Sequence, residues 1–191
     1  VDIESIAKPV TKWAITVREP GQVPRTFQQA FHLMRSGRPG PVLLDLPFDV
    51  QMAQIDFDID TYEPLPVYKP AASRRQIEKA LAMLDASERP LIVAGGGVIY
   101  SQATEELAAF VSATGIPVGQ SQAGKGTLVY DHPQCLGAIG STGTTAANAI
   151  AREADLVIGI GTRYSDFTTA SRTAFQNPGV RFVNINVAGM D

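Results

Sequence analysis

The chain has 191 residues, 45% hydrophobic and 18% charged, with a formal net charge of -3 and no basic run. That balance can bury a sizeable core and offers no electrostatic footprint for nucleic acid. No apolar run approaches the roughly 18 residues of a membrane span, the N-terminus lacks a signal-peptide layout, and one cysteine with two histidines excludes an internal disulfide and a cysteine- or histidine-built metal site. The expectation is a cytoplasmic protein with neither nucleic acid nor membrane as partner.

The chain opens on Val1 without Met and stops at Asp191 just past a strand-like run, which predicts a segment of a longer protein. From Gln22 to Ser36, Val23, Phe27, Ala30, Phe31 and Met34 fall on one helical face, and Gly37 stands where a helix would end. "PVLLDL", between Pro41 and Pro47, reads as a buried strand in which Asp45 accepts a structural hydrogen bond. One helix and one strand enclose no core, so residues 1–52 are expected to be the end piece of a larger unit. Residues 53–73 carry Pro64, Pro66 and Pro70 among acidic residues and read as an extended inter-domain linker.

After Ser73 the pattern turns regular. A capped helix "RRQIEKALAMLDASER" precedes a strand "PLIVAGGG", a helix "SQATEELAAFVSATG" and a strand "IPVGQ". An irregular stretch then leads to a helix near "TTAANAIAREA", a strand "DLVIGIG", a loop and a strand "RFVNINV". Alternation of this length predicts parallel βαβ units, so residues 74–191 are expected to form a Rossmann-like, doubly wound α/β domain, truncated at its C-terminus.

"GQSQAGKGTL", from Gly119 to Leu128, has the outline of a phosphate-binding loop. Such a loop must open a helix whose amides face the phosphates. Here "TLVYDHPQCLG" has no helical period and contains Pro133, which argues against a nucleoside-triphosphate site. What remains is a glycine loop at a strand end. Two others resemble it, "AGGGV" (94–98) and "GIGTRYSD" (159–166), and ligands of open α/β sheets lie across such ends. None completes the dinucleotide fingerprint, and each glycine is also what a tight turn requires.

Arg163 could fork onto a phosphate or carboxylate, or pair with Asp166 or Asp155. Asn184 and Asn186 alternate on the last strand and could read a ribose or ring edge. Asn148, His32, Cys135, Glu105 and Glu106 read as structural or solvent-facing. No catalytic or metal-ligating set assembles.

The strings "IAKPVTKWAITV", "HLMRSGRPGPVLLDLPFDVQ" and "YEPLPVYKPAASRRQIEKAL" resemble the thiamine-diphosphate-dependent carboligases and decarboxylases, in the glyoxylate carboligase and acetolactate synthase form. From about residue 115, "QAGKGTLVYDHP" and "LGAIGSTGTTAANAIAREADLVIGIGTRYSDFTTASRTAFQNP" are more similar to the trihydroxycyclohexanedione hydrolases of inositol breakdown. The resemblance implies a homo-oligomeric parent, dimer or tetramer, that uses thiamine diphosphate and magnesium on a small-molecule substrate. Residues 1–52 would end its pyrimidine-binding domain, and 74–191 would be its central domain.

The activating glutamate would lie before Val1 and the metal-binding Gly-Asp-Gly segment after Asp191, so the fragment is expected to be catalytically inert. The implied reaction is carboligation of 2-oxoacids, the alternatives being hydrolysis of a cyclic dione or a non-catalytic nucleotide-binding or bracing role. In the carboligase branch the central domain also holds flavin adenine dinucleotide (FAD). Carried over by position, its contacts would be Gly95, Gly96, Gly97, Ser121, Gln122, Gly124, Gly161, Thr162, Arg163 and Asn184. Phe167 stands where that branch has a second arginine, Asn184 where it has an aspartate, and Lys125 where it has an apolar residue.

Overall fold

The computed structural model describes residues 1–188, so the last three positions of the domain expected over 74–191 lie outside the described residues. The chain divides into two compact units, Val1–Pro70 and a second beginning at Ala71.

In the first unit, helix α1 (Ile3–Ala7) precedes strand β1 (Trp13–Thr16), helix α2 (Val23–Arg35), strand β2 (Val42–Asp45) and helix α3 (Phe48–Met52). The two strands pair in parallel, Trp13 opposite Val42 and Thr16 opposite Asp45. Asp45 accepts a hydrogen bond from Thr16 Oγ1 at 3.1 Å. Sequence periodicity missed β1, whose four residues "WAIT" are too few to show an alternation.

The inward face of α2 also differs from the expected one. Thr26 and Ala30 are buried, whereas Phe31 is 48% exposed. Lys12 closes the end of this helix: its ammonium donates to the carbonyls of Leu33 (2.7 Å), Ser36 (2.6 Å) and Arg38 (3.0 Å). A cation there satisfies carbonyls that the helix leaves unpaired and meets the negative end of its dipole. Within the expected linker, Asp58 caps a 3-10 turn at Ile59–Thr61, and the Glu63 carbonyl accepts from Gln28 Nε2 at 2.6 Å.

The second unit is a parallel α/β layer. Helix α4 (Arg74–Asp85) starts on a reciprocal capping box between Ser73 and Gln76. Then follow β3 (Pro90–Ala94), α5 (Gly96–Tyr100), α6 (Thr104–Thr114), β4 (Val118–Gln120), β5 (Cys135–Ala138), α7 (Thr145–Glu153), β6 (Leu156–Ile160), α8 (Asp166–Thr169) and β7 (Arg181–Ile185). The sheet order is β5-β4-β3-β6-β7, every neighbouring pair parallel.

Strand β3 lies at the centre and is buried on both faces. Ile92 and Ala94 join Val98, Leu107, Val111, Val118 and Leu156 on one side. Leu91 and Val93 join Ile139, Ala147, Ala151 and Val157 on the other. Each fully buried Leu, Ile or Val contributes about 1.5–3 kcal/mol, so these two clusters are the main source of the unit's stability.

Two elements depart from the sequence expectation. "PLIVAGGG" is not one strand, because the chain leaves the sheet at Gly95 and Gly96 opens α5. Strand β5 does not show in the sequence, since "CLGA" is short, half-buried, and includes Gly137, at φ +78°. Among the described residues no helix is long and apolar enough to cross a membrane.

Candidate functional site

Ala94, Gln120, Ile160 and Ile185 end four neighbouring parallel strands, so the loops that follow them share one rim of the sheet. The chain turns one way from β3 to β4 and β5, and the other way to β6 and β7. The place where the order reverses, between β3 and β6, is where open α/β sheets place ligands.

These loops are bonded to one another by their backbones. Gly95 N–H donates to the Ile160 carbonyl (2.8 Å), Gly97 N–H to Gly161 (2.9 Å), Gly161 N–H to Ile185 (2.8 Å) and Ser121 N–H to Ala94 (2.9 Å). Their glycines make the approach possible. A Cβ on Gly95 would lie 2.3 Å from the Gly161 oxygen, one on Gly97 2.5 Å from the Gly161 Cα, and one on Gly124 2.1 Å from the Ala94 oxygen. A Cβ on Gly96 would stand 3.0 Å from the Ala123 oxygen. Gly161 also has φ +57°, which a side chain disfavours. The space at these glycines is therefore filled by neighbouring backbone and does not form an open cradle.

The other residues singled out in the sequence divide between holding the rim and facing solvent. Ser121 is buried and caps the 3-10 turn Gln122–Gly124, its hydroxyl accepting from Gly124 N–H at 3.1 Å. Thr162 is buried, and its carbonyl accepts from Asn186 Nδ2 at 3.0 Å. Gln122 is exposed and reaches Thr142 Oγ1 at 3.4 Å. Asn184 is exposed on β7, opposite Gly159.

Arg163 is exposed, and its guanidinium has no partner among the described residues. The pairings with Asp155 and Asp166 are not formed. Asp155 precedes β6 while Arg163 follows it, so the strand separates them. Asp155 instead accepts from Ser87 Oγ and from the amides of Glu88 (2.8 Å) and Arg89 (3.1 Å). Lys125 lies in extended backbone, φ -59° and ψ 124°, and the next helix begins at Thr145. The geometry of a triphosphate loop is absent at this lysine.

Beside the rim, a cavity of about 460 Å³ is lined by Tyr164, Thr169, Arg172, Phe175, Val180, Phe182 and Asn184. Tyr164, Phe175 and Phe182 meet edge to face, with centroids 5.4–6.3 Å apart. Gly159 makes room for the phenol, since a Cβ there would be 2.2 Å from the Tyr164 hydroxyl. That hydroxyl is buried with no hydrogen-bond partner among the described residues, and burial pushes its pKa up to about 12.

A further turn at the rim, Gly140–Thr144, was missed in the sequence. Ser141 N–H donates to the Phe167 carbonyl at 2.8 Å, and Thr144 caps α7. Its signal was present as Gly140, Gly143 and Asn148, but those residues acquire meaning only once β5 places the turn beside α8. Donors open to solvent at the rim include Arg163, Gln122, Lys125, Ser141 and Thr142. A guanidinium, an amide and hydroxyls on one edge suit an extended, anionic, polyhydroxylated ligand such as a dinucleotide. Among the described residues no three His, Cys, Asp or Glu side chains converge as metal ligands would.

Residues 77–191 match the family described as thiamine pyrophosphate enzyme, central domain. The chain is 55% identical to a glyoxylate carboligase of Escherichia coli O157:H7 over 98% of its length and 32% of that protein's. It is 42% identical to a 3D-(3,5/4)-trihydroxycyclohexane-1,2-dione hydrolase of Shouchella clausii over 96% of the chain and 29% of the relative. It is 41% identical to a probable acetolactate synthase large subunit of Methanocaldococcus jannaschii, over 98% and 32% respectively. The chain thus spans about a third of the length of the curated relatives it matches. The chain belongs to the thiamine pyrophosphate enzymes, and its residues 77–191, with their parallel layer and glycine-knit rim, are the part that matches their central domain.

Proposed function

We propose that this chain is the central-domain portion of a thiamine-diphosphate-dependent carboligase that joins 2-oxoacids with loss of carbon dioxide, of the glyoxylate carboligase type. The observation that carries the reading is the 55% identity to a glyoxylate carboligase across 98% of the chain, against 42% and 41% for the hydrolase and acetolactate synthase relatives. On this reading thiamine diphosphate, held with magnesium outside this segment in a cytoplasmic homo-oligomer, supplies the carbon–carbon bond chemistry. The segment alone is then inert, and its residues position and brace.

The rim's own role in this proposal is to bind FAD. Arg163 would meet the pyrophosphate, Gln122 and the Ser141–Thr142 edge its polar flank, and Asn184 the adenosine end. The packed glycines would keep these groups fixed. The test of the enzyme class is turnover by the longer polypeptide that carries this segment. Carbon dioxide released from glyoxylate in the presence of thiamine diphosphate and magnesium is the expected result. Cleavage of the cyclic trihydroxydione with no turnover of glyoxylate would assign the hydrolase reading instead.

A further inference from the structure

Asn148 lies on the second turn of α7, half-buried, with its side chain directed at one residue of the turn before the helix. Gly140 N–H donates to Asn148 Oδ1 at 2.9 Å, and Asn148 Nδ2 donates to the Gly140 carbonyl at 2.9 Å. One amide thus grips both polar groups of one residue, as a paired strand residue would. Asparagine is the shortest neutral side chain that offers a donor and an acceptor in one plane.

The surroundings are shaped around this grip. Gly140 has φ +95°, and a Cβ there would lie 1.9 Å from the Phe167 oxygen. A Cβ on Gly143 would stand 2.8 Å from Asn148 Oδ1 and 2.8 Å from Gly140 N. Two glycines are therefore needed where this bracket closes. The turn so held sends Ser141 N–H to the Phe167 carbonyl and sets Thr142 Oγ1 against Gln122 Nε2. Helix α7 itself gains nothing from asparagine, a poorer helix former than alanine. The residue serves the turn and not the helix.

We propose that Asn148 is a positioning residue, which fixes the Gly140–Thr144 turn as a further wall of the rim site and holds it in register with the loops carrying Gln122 and Phe167. Only the identity of the ligand rests on the FAD reading above. The test uses the chain with Asn148→Ala and Asn148→Asp, followed by amide hydrogen exchange and by FAD titration. In Asn148→Ala, exchange at Gly140 and Ser141 accelerates by about tenfold or more, while Ala151 and Ala154 in and after α7, and Gly95 and Gly97 on the rim, keep their protection. FAD affinity falls about tenfold in the same variant.

Asn148→Asp keeps the acceptor and loses the donor, so Gly140 stays protected while Ser141 is released. Uniform acceleration through α7 and the rim would overturn the proposal, because it marks a residue that merely stabilises the fold. Unchanged exchange at Gly140 and Ser141 would overturn it as well. Absence of FAD binding to the unaltered chain counts against the flavin reading alone, since the exchange measurements decide the role of Asn148 without a ligand.

Discussion

Gly97 and Gly161 meet backbone to backbone: Gly97 N–H donates to the Gly161 carbonyl at 2.9 Å, and a Cβ on Gly161 would lie 2.5 Å from the Gly97 Cα. One contact therefore ties the loop after β3 to the loop after β6, across the point where the strand order reverses.

Alanine at these positions forces two rigid loops apart. Gly161→Ala combines that overlap with positive φ and is expected to cost about 3 kcal/mol or more. Gly115 also has positive φ, +71°, but nothing lies within 4 Å of its Cβ position, so Gly115→Ala is expected to cost only about 1 kcal/mol. Urea denaturation followed by circular dichroism separates the two. Equal costs would show that the loops do not lock.

The unpartnered hydroxyl of Tyr164 makes a second prediction. Tyr164→Phe removes a buried polar group without emptying its site and should leave stability equal or raise it by about 1 kcal/mol. The folded-state pKa is about 12 against the ordinary 10, so the neutral phenol is favoured in the folded protein. That contribution is complete below pH 10 and is lost as pH rises through 12, by about 3 kcal/mol in all. The phenylalanine variant should lack this alkaline loss, which a series of denaturation midpoints between pH 9 and 12 measures.

The parallel α/β order and the grouping of glycine loops at strand ends were legible because each rests on local pattern: apolar runs, glycines after them, helical periodicity between. The purpose of those glycines was not. Gly95 and Gly161 are 66 residues apart, and only the pairing of β3 with β6 brings them together. The same applies to the Gly140–Thr144 turn, hidden because β5 is four residues long and carries Gly137. The sequence leaves Asp155 and Asp166 open as partners of Arg163, but β6 runs between Asp155 and Arg163 and carries those two to opposite ends of the sheet.

Asp155 holds the Ser87–Arg89 turn at the start of β3. Its bond from Ser87, aided by the amides of Glu88 and Arg89, keeps its carboxyl below the usual range. A depressed pKa gives stability that is present above the unfolded value and lost as pH falls through the folded one. Asp155→Ala should cost about 1–2 kcal/mol at neutral pH and flatten the acid limb of the unfolding curve. Midpoints measured from pH 7 down to about 2 test this; an acid limb unchanged in the variant would contradict it.

In the first unit, Lys12→Met keeps the aliphatic stem and removes the ammonium that three carbonyls share. About 1–2 kcal/mol of that unit's stability should go with it. Trp13, the single tryptophan, lies next to Lys12 in β1 and supplies the fluorescence to follow. An unaltered midpoint would mean that solvent satisfies those carbonyls as well as Lys12 does.

In the binding site proposed for the rim, Arg163 is the cation beside the β3–β6 reversal, exposed and without a side-chain partner among the described residues. Titrating FAD into the chain while following flavin fluorescence, beside Arg163→Ala, tests it most directly. The expected result is saturable binding that weakens about tenfold or more in the variant, with no loss of stability, since the guanidinium is exposed and unpaired. No fluorescence change, or equal affinity with and without Arg163, would contradict it.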